Sequence, residues 1–105
     1  MTAESINALE GKDVVLRIRN KPPNAERLTW YRGDTTDSKR IIAFLAVNQR
    51  IHIRGPPDGP VIINYDGSLV LKSVTMKDAG IYTILVQLQG CKKMKGCGRL
   101  NVYRE

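Results

Sequence analysis

From Val14 the chain alternates, with Val14, Leu16 and Ile18 on one side and Val15, Arg17 and Arg19 on the other. A strand with one buried face has this side-chain geometry. Ser68 to Val74 repeats the pattern, Ile81 to Gln89 (IYTILVQLQ) is rich in strand formers, and Arg99 to Tyr103 closes the chain in the same way. Ile41 to Val47 (IIAFLAV) has no polar positions and predicts a strand covered on both faces. Between these runs lie KPPN, RGDTTD, GPPDGP, NYDG and GCKKMKGCG, where Pro, Gly, Asn and Asp supply turn chemistry. No segment of ten or more residues shows helical spacing, and there are no internal repeats. The expectation is an all-β sandwich or barrel.

A constellation selects the sandwich. Trp30 lies twelve residues beyond Ile18 in its own strand, and Asp78-Ala79-Gly80-Ile81-Tyr82 follows the Leu69/Leu71/Val74 strand after a short polar turn. This is the layout of an immunoglobulin fold. There, a tryptophan on strand C packs on the core, and a tyrosine at the start of strand F bonds back to upstream backbone. Trp30 and Tyr82 take these places. Ile18 and Ile84 occupy the positions where the disulfide between strands B and F usually stands, so that bridge is missing.

The segments EGKDVVLRIRNKPPN, LTWYRGD, GPPDG, DGSLVLKSVTMKDAGIYTILV and LNVY, taken with the missing bridge, resemble the N-terminal V-like domains of the carcinoembryonic-antigen family. That family includes adhesion receptors and the secreted pregnancy-specific glycoproteins. The resemblance spans Glu10 to Tyr103 and implies one V-type domain over residues 1–105, outside the cell, secreted or surface-bound. Relatives usually pair an arginine before strand D with the aspartate before strand F; here Asp78 is kept and Pro60 holds the arginine position. Arg54 or another base is one substitute, and backbone hydrogen bonds to Asp78 are another. The family's frequent glycosylation site reads Asp66-Gly67-Ser68, and no Asn-X-Ser/Thr occurs in the chain.

Length and charge narrow the chemistry. A chain of 105 residues makes one core, and no stretch approaches the ~20 apolar residues of a membrane span. MTAESINALEG is too polar for a secretory leader, so a signal or anchor is expected outside this sequence. Seventeen Lys and Arg against ten Asp and Glu give a net charge of +7. Bases gather at residues 38–57 and in the last fifteen residues. These zones lack the interleaved aromatic platforms on which bases stack, which speaks against nucleic acid. His52 is the sole histidine, and no motif places a nucleophile beside it, so no catalytic, cofactor or metal site is expected.

Cys91 and Cys97 flank Lys92-Lys93-Met94-Lys95-Gly96, read as the turn between strands F and G. On opposite arms of a hairpin, two cysteines reach the ~5.5 Å Cα spacing of a disulfide. In an extracellular domain a bridge closing that tip is expected, with free thiols the alternative. Lys92, Lys93, Lys95 and Arg99 would then form a basic cluster suited to heparan sulfate.

Domains of the resembled family bind through the GFCC′ face, often to a second copy or to other immunoglobulin-like proteins. With Trp30, Tyr82 and Ile84 inward, alternation turns Thr29, Tyr31, Thr83, Leu85 and Gln87 outward and exposed, and alignment adds Ile41 and Ala43. Arg32-Gly33-Asp34 spells an integrin tripeptide, but turn geometry after strand C explains it without an integrin.

Overall fold

The structure is a computed structural model, described over residues 1–46, 61–64 and 66–104. His52, Arg54 and Pro60 lie outside these described residues. The strands are β1 (Thr2–Ala3), β2 (Ile6–Leu9), β3 (Val14–Leu16), β4 (Ile18–Arg19), β5 (Ala25–Arg32), β6 (Ile41–Ala46), β7 (Val61–Ile63), β8 (Leu69–Leu71), β9 (Gly80–Leu88) and β10 (Lys93–Tyr103). Single 3-10 turns stand at Ser38–Arg40 and Met76–Asp78.

One sheet runs β2-β10-β9-β5-β6 and the other β3-β8-β7, with β1 and β4 forming a short ribbon. All pairings are antiparallel except that of β2 with β10. The inward positions of both sheets meet in one apolar cluster that includes Leu16, Leu28, Trp30, Leu45, Leu69, Ile84 and Leu100. The alternation read from the sequence is therefore the alternation of a two-layer core.

Trp30 is fully buried, and its indole Nε1–H donates to the Gly67 carbonyl at 2.8 Å. Without that acceptor a buried N–H would be left unsatisfied. The Tyr82 hydroxyl donates to the Asp78 carbonyl at 2.6 Å, the corner expected from DAGIY. Burial raises the Tyr82 pKa, Arg32 lowers it, and Asp78 raises it further. Ile84 is buried at the centre, whereas Ile18 packs on the margin of the core. The reason is local: the Arg17 carbonyl accepts from Glu4 N–H at 2.8 Å, and the chain continues as β4 beside β1 instead of beside β8.

The expected tip of the last hairpin is corrected. β10 begins at Lys93, not Arg99, so the turn is confined to residues 89–92 and most of KKMKGCG is strand. Gly96 and Gly98 mark close approach and not a turn. A Cβ on Gly96 would sit 2.8 Å from the Met1 carbonyl, and one on Gly98 2.8 Å from that of Ala3, so the N-terminal segment needs these two bare positions.

The expected disulfide falls with that correction. Cys97 pairs with Thr83 in mid-strand, while Cys91 lies in the turn, and both are free and exposed. Four strand steps from Lys93 to Cys97 already span roughly 13 Å, beyond the ~7 Å Cα limit for a bridge.

Candidate protein-binding face

Because Leu28, Trp30, Ile84 and Val86 fill the interior, the residues between them form the outer side of the five-stranded sheet. Pairing aligns them in rows across the strands. Lys95, Leu85, Thr29 and Phe44 make one row; Cys97, Thr83, Tyr31 and Ile41 make the next; Lys93, Gln87 and Arg27 make a third.

The floor of this face is sealed. Thr29, Tyr31 and Thr83 point outward as the alternation requires, yet they are only 7, 6 and 0% exposed, which corrects their expected exposure. Thr83 Oγ1 donates to the Gly33 carbonyl at 2.7 Å, drawing the turn after β5 over it. Burial likewise raises the Tyr31 pKa. Leu85, Gln87, Ile41 and Phe44 are half-buried and rise around that floor. Arg27, Thr29, Tyr31, Ile41, Phe44 and Gln87 enclose a shallow depression of about 190 Å³.

Ala43 does not belong to the face. It is fully buried opposite Trp30, while Tyr31 pairs with Ile41, so Ile42 is an extra residue that breaks the alternation of β6. The outward residue is Phe44, with the Arg27 guanidinium carbon 6.0 Å from its ring centroid. Phe44 could not be read from IIAFLAV, where every position is apolar, whereas Arg27 continues the outward alternation of Thr29 and Tyr31 on β5.

With the geometry in place, the immunoglobulin V-set domain matches residues 1–103 of the chain. The chain belongs to the immunoglobulin V-set family. Murine CEACAM1b superposes with a TM-score of 0.89 at 23% identity, over 98% of this chain and 53% of that one. The mouse coronavirus receptor-binding domain complexed with its murine receptor gives 0.87 at 29% identity, again over 98% and 53%. The chain thus spans about half the length of each. The first immunoglobulin-like domain of human CD48 gives 0.77 at 19% identity, over 96% of this chain and 82% of that one, a likeness of fold. These neighbours agree with the motif resemblance to carcinoembryonic-antigen-family N-terminal domains. V-set domains of this type are extracellular binding modules; among the described residues no helix is long and apolar enough to cross a membrane.

The V-set frame also places the remaining candidates. Arg32 is the last residue of β5, and its guanidinium donates to the carbonyls of Lys77 (3.2 Å), Ala79 and Ile81 (3.1 Å). It stacks over the Tyr82 ring, 4.7 Å from the centroid. Gly33 follows at φ +96°, a left-handed angle that glycine adopts freely, and its N–H donates to Ile81 at 2.7 Å. Asp34 is exposed, with Cys97 Sγ 3.8 Å from its Oδ1. The tripeptide is thus a turn whose arginine clamps the tyrosine corner. Asp78 Oδ2 accepts from Thr75 N–H at 2.8 Å, the backbone bond expected of it, while Arg54 lies outside the described residues.

Lys93, Lys95 and Arg99 do not cluster at a hairpin tip. They stand on alternate positions of β10 and line the outer face beside Gln87, Leu85 and Ile81, while Lys92 stays in the turn. Basic row and apolar shelf are parts of one surface.

Proposed function

We propose that this V-set domain is a non-catalytic extracellular recognition domain that docks an immunoglobulin-like surface, a second copy or a related protein, through the outer face of β5, β6, β9 and β10. It would serve cell adhesion or immune modulation. The observation that supports this reading is the half-buried shelf of Leu85, Ile41 and Phe44 around the sealed floor of Tyr31 and Thr29, at the centre of a broad sheet. Side chains so placed lose water on docking without ordering new backbone, and a few of them can carry most of the binding energy. The test is surface plasmon resonance of the parent and variants against a panel of immunoglobulin-like ectodomains, itself included. Leu85→Asp and Phe44→Ser weaken binding at least tenfold, about 1.4 kcal/mol or more, with unchanged melting. Parental binding by both variants would reject the face.

A second reading, contact with heparan sulfate, rests on the linear row of Lys93, Lys95 and Arg99. Along the strand Lys93 and Lys95 stand ~6.6 Å apart and Arg99 ~13 Å beyond, with Cys97 between, a line that suits a chain of sulfates. Neutralising Lys93 and Lys95 to Gln should move heparin elution to much lower salt; unchanged elution discards it. An integrin role is not proposed, since Arg32 is engaged within the domain.

A further inference from the structure

The upper half of β10 has a backbone edge without a partner among the described residues. β2 pairs only with Leu100 to Tyr103. The Leu88 N–H donates to the Lys92 carbonyl at 2.8 Å, which fixes the parity above it: Met94, Gly96 and Gly98 exchange bonds with β9, and Lys93, Lys95 and Cys97 aim theirs away. The same parity appears at Arg99, whose N–H points outward and is taken by Ser5 Oγ at 3.2 Å. The three N–H and three carbonyl groups of Lys93, Lys95 and Cys97 therefore point away from β9 along one line. The inner side of that line is closed by Met1 and Thr2 against Gly96, so an incoming chain is confined to the plane of the sheet.

The charged side chains of β10 along this edge are all basic. Lys93, Lys95 and Arg99 are exposed on the outer side, and Asp34 is the carboxylate near Cys97. A second copy docking edge to edge would set bases against bases, a destabilising arrangement. We propose that this edge accepts an extended acidic peptide segment by antiparallel strand addition, with Asp or Glu at alternate positions facing Lys93 and Lys95. Main-chain bonds supply attachment and the basic row supplies selection. The attachment is to the edge backbone of β10, beside the apolar shelf, and its use does not require the docking proposed above.

The test uses a capped peptide of alternating Glu and Thr and the same peptide N-methylated either at every Glu or at every Thr. In an antiparallel hydrogen-bonded pair, opposed residues share a face, so the Glu N–H groups point at β10 and the Thr N–H groups point away. Parent peptide and Thr-methylated peptide bind, the Glu-methylated peptide binds at least tenfold more weakly, and the amide protons of Lys95 and Cys97 gain exchange protection. Lys95→Glu weakens the parent peptide at least tenfold, and Phe44→Ser, on β6 at the far side of the sheet, leaves it unchanged. Equal binding of both methylated peptides would mean mere attraction to a polyanion and overturn the proposal. Bound peptide without protection at Lys95 and Cys97 would overturn it as well.

Discussion

Replacing Arg32 by Ala removes one side chain that closes the base of β5 against β9. Its guanidinium serves three carbonyls, those of Lys77, Ala79 and Ile81, and covers the Tyr82 ring. A hydrogen bond to a charged group contributes about 1.5–3 kcal/mol when desolvated. Here the Lys77 bond is exposed and counts little, while those to Ala79 and Ile81 are part-buried. After discounting for water that replaces the donor, about 2 kcal/mol remains for the bonds, and the ring contact adds about 0.5–1 kcal/mol. A loss of about 3 kcal/mol corresponds to a drop of roughly 12 °C in a domain of this size. Arg32→Lys keeps the charge but not the fork, and should lose about half as much. Asp34→Ala removes only an exposed side chain and should fall within about 0.5 kcal/mol of the parent. Thermal and denaturant unfolding of the three variants measures this directly. If Arg32→Ala unfolds like the parent, the guanidinium is not holding the corner, and its availability to an outside partner returns as an open reading.

Cys91 and Cys97 should both react with a thiol reagent in the native protein, and reductant should leave the melting temperature unchanged; a single disulfide by mass spectrometry would contradict the strand register. Gly67→Ala should destabilise by about 2 kcal/mol or more, because φ there is +89° and an added Cβ would lie 2.6 Å from Leu28 Cδ2. A parental denaturation midpoint for that variant would refute the packing around the Trp30 indole. Asp66 has its pKa lowered by hydrogen bonds from the Ser68 hydroxyl and backbone N–H, offset by burial and aided by Lys21 and Arg17. Its carboxylate therefore stabilises the fold above the ordinary carboxylate pKa of about 4, and that contribution disappears as pH falls through the lower folded value. Asp66→Asn should flatten the acid limb of stability, and an unchanged limb would show that the Ser68 bonds contribute nothing.

Much of the fold was legible because burial imposed a period on the sequence. Val14 and Leu16, Leu69 and Leu71, and Tyr82, Ile84 and Val86 are buried at alternate positions, and Trp30 and Tyr82 hold the places their spacing implied. Legibility failed where period and chemistry separated. IIAFLAV carries no polar position, so the extra residue at Ile42 left no trace, and Ala43 and Phe44 exchanged places. GCKKMKGCG looks like a turn because glycine permits turns, but Gly96 and Gly98 are there to admit the N-terminal backbone. That one misreading moved the hairpin tip and brought two distant cysteines together. Exposure also escaped the pattern: alternation fixes which way Tyr31 and Thr83 point, whereas their cover depends on Gly33, Phe44 and other residues contributed by distant strands.

Hydrogen–deuterium exchange of the domain, free and saturated with an immunoglobulin-like partner, tests the proposed docking face most directly. Protection on binding is predicted at Leu28–Tyr31, Ile41–Leu45 and Thr83–Gln87, with β3, β7 and β8 unchanged. Protection confined to β3, β7 and β8 would contradict that face.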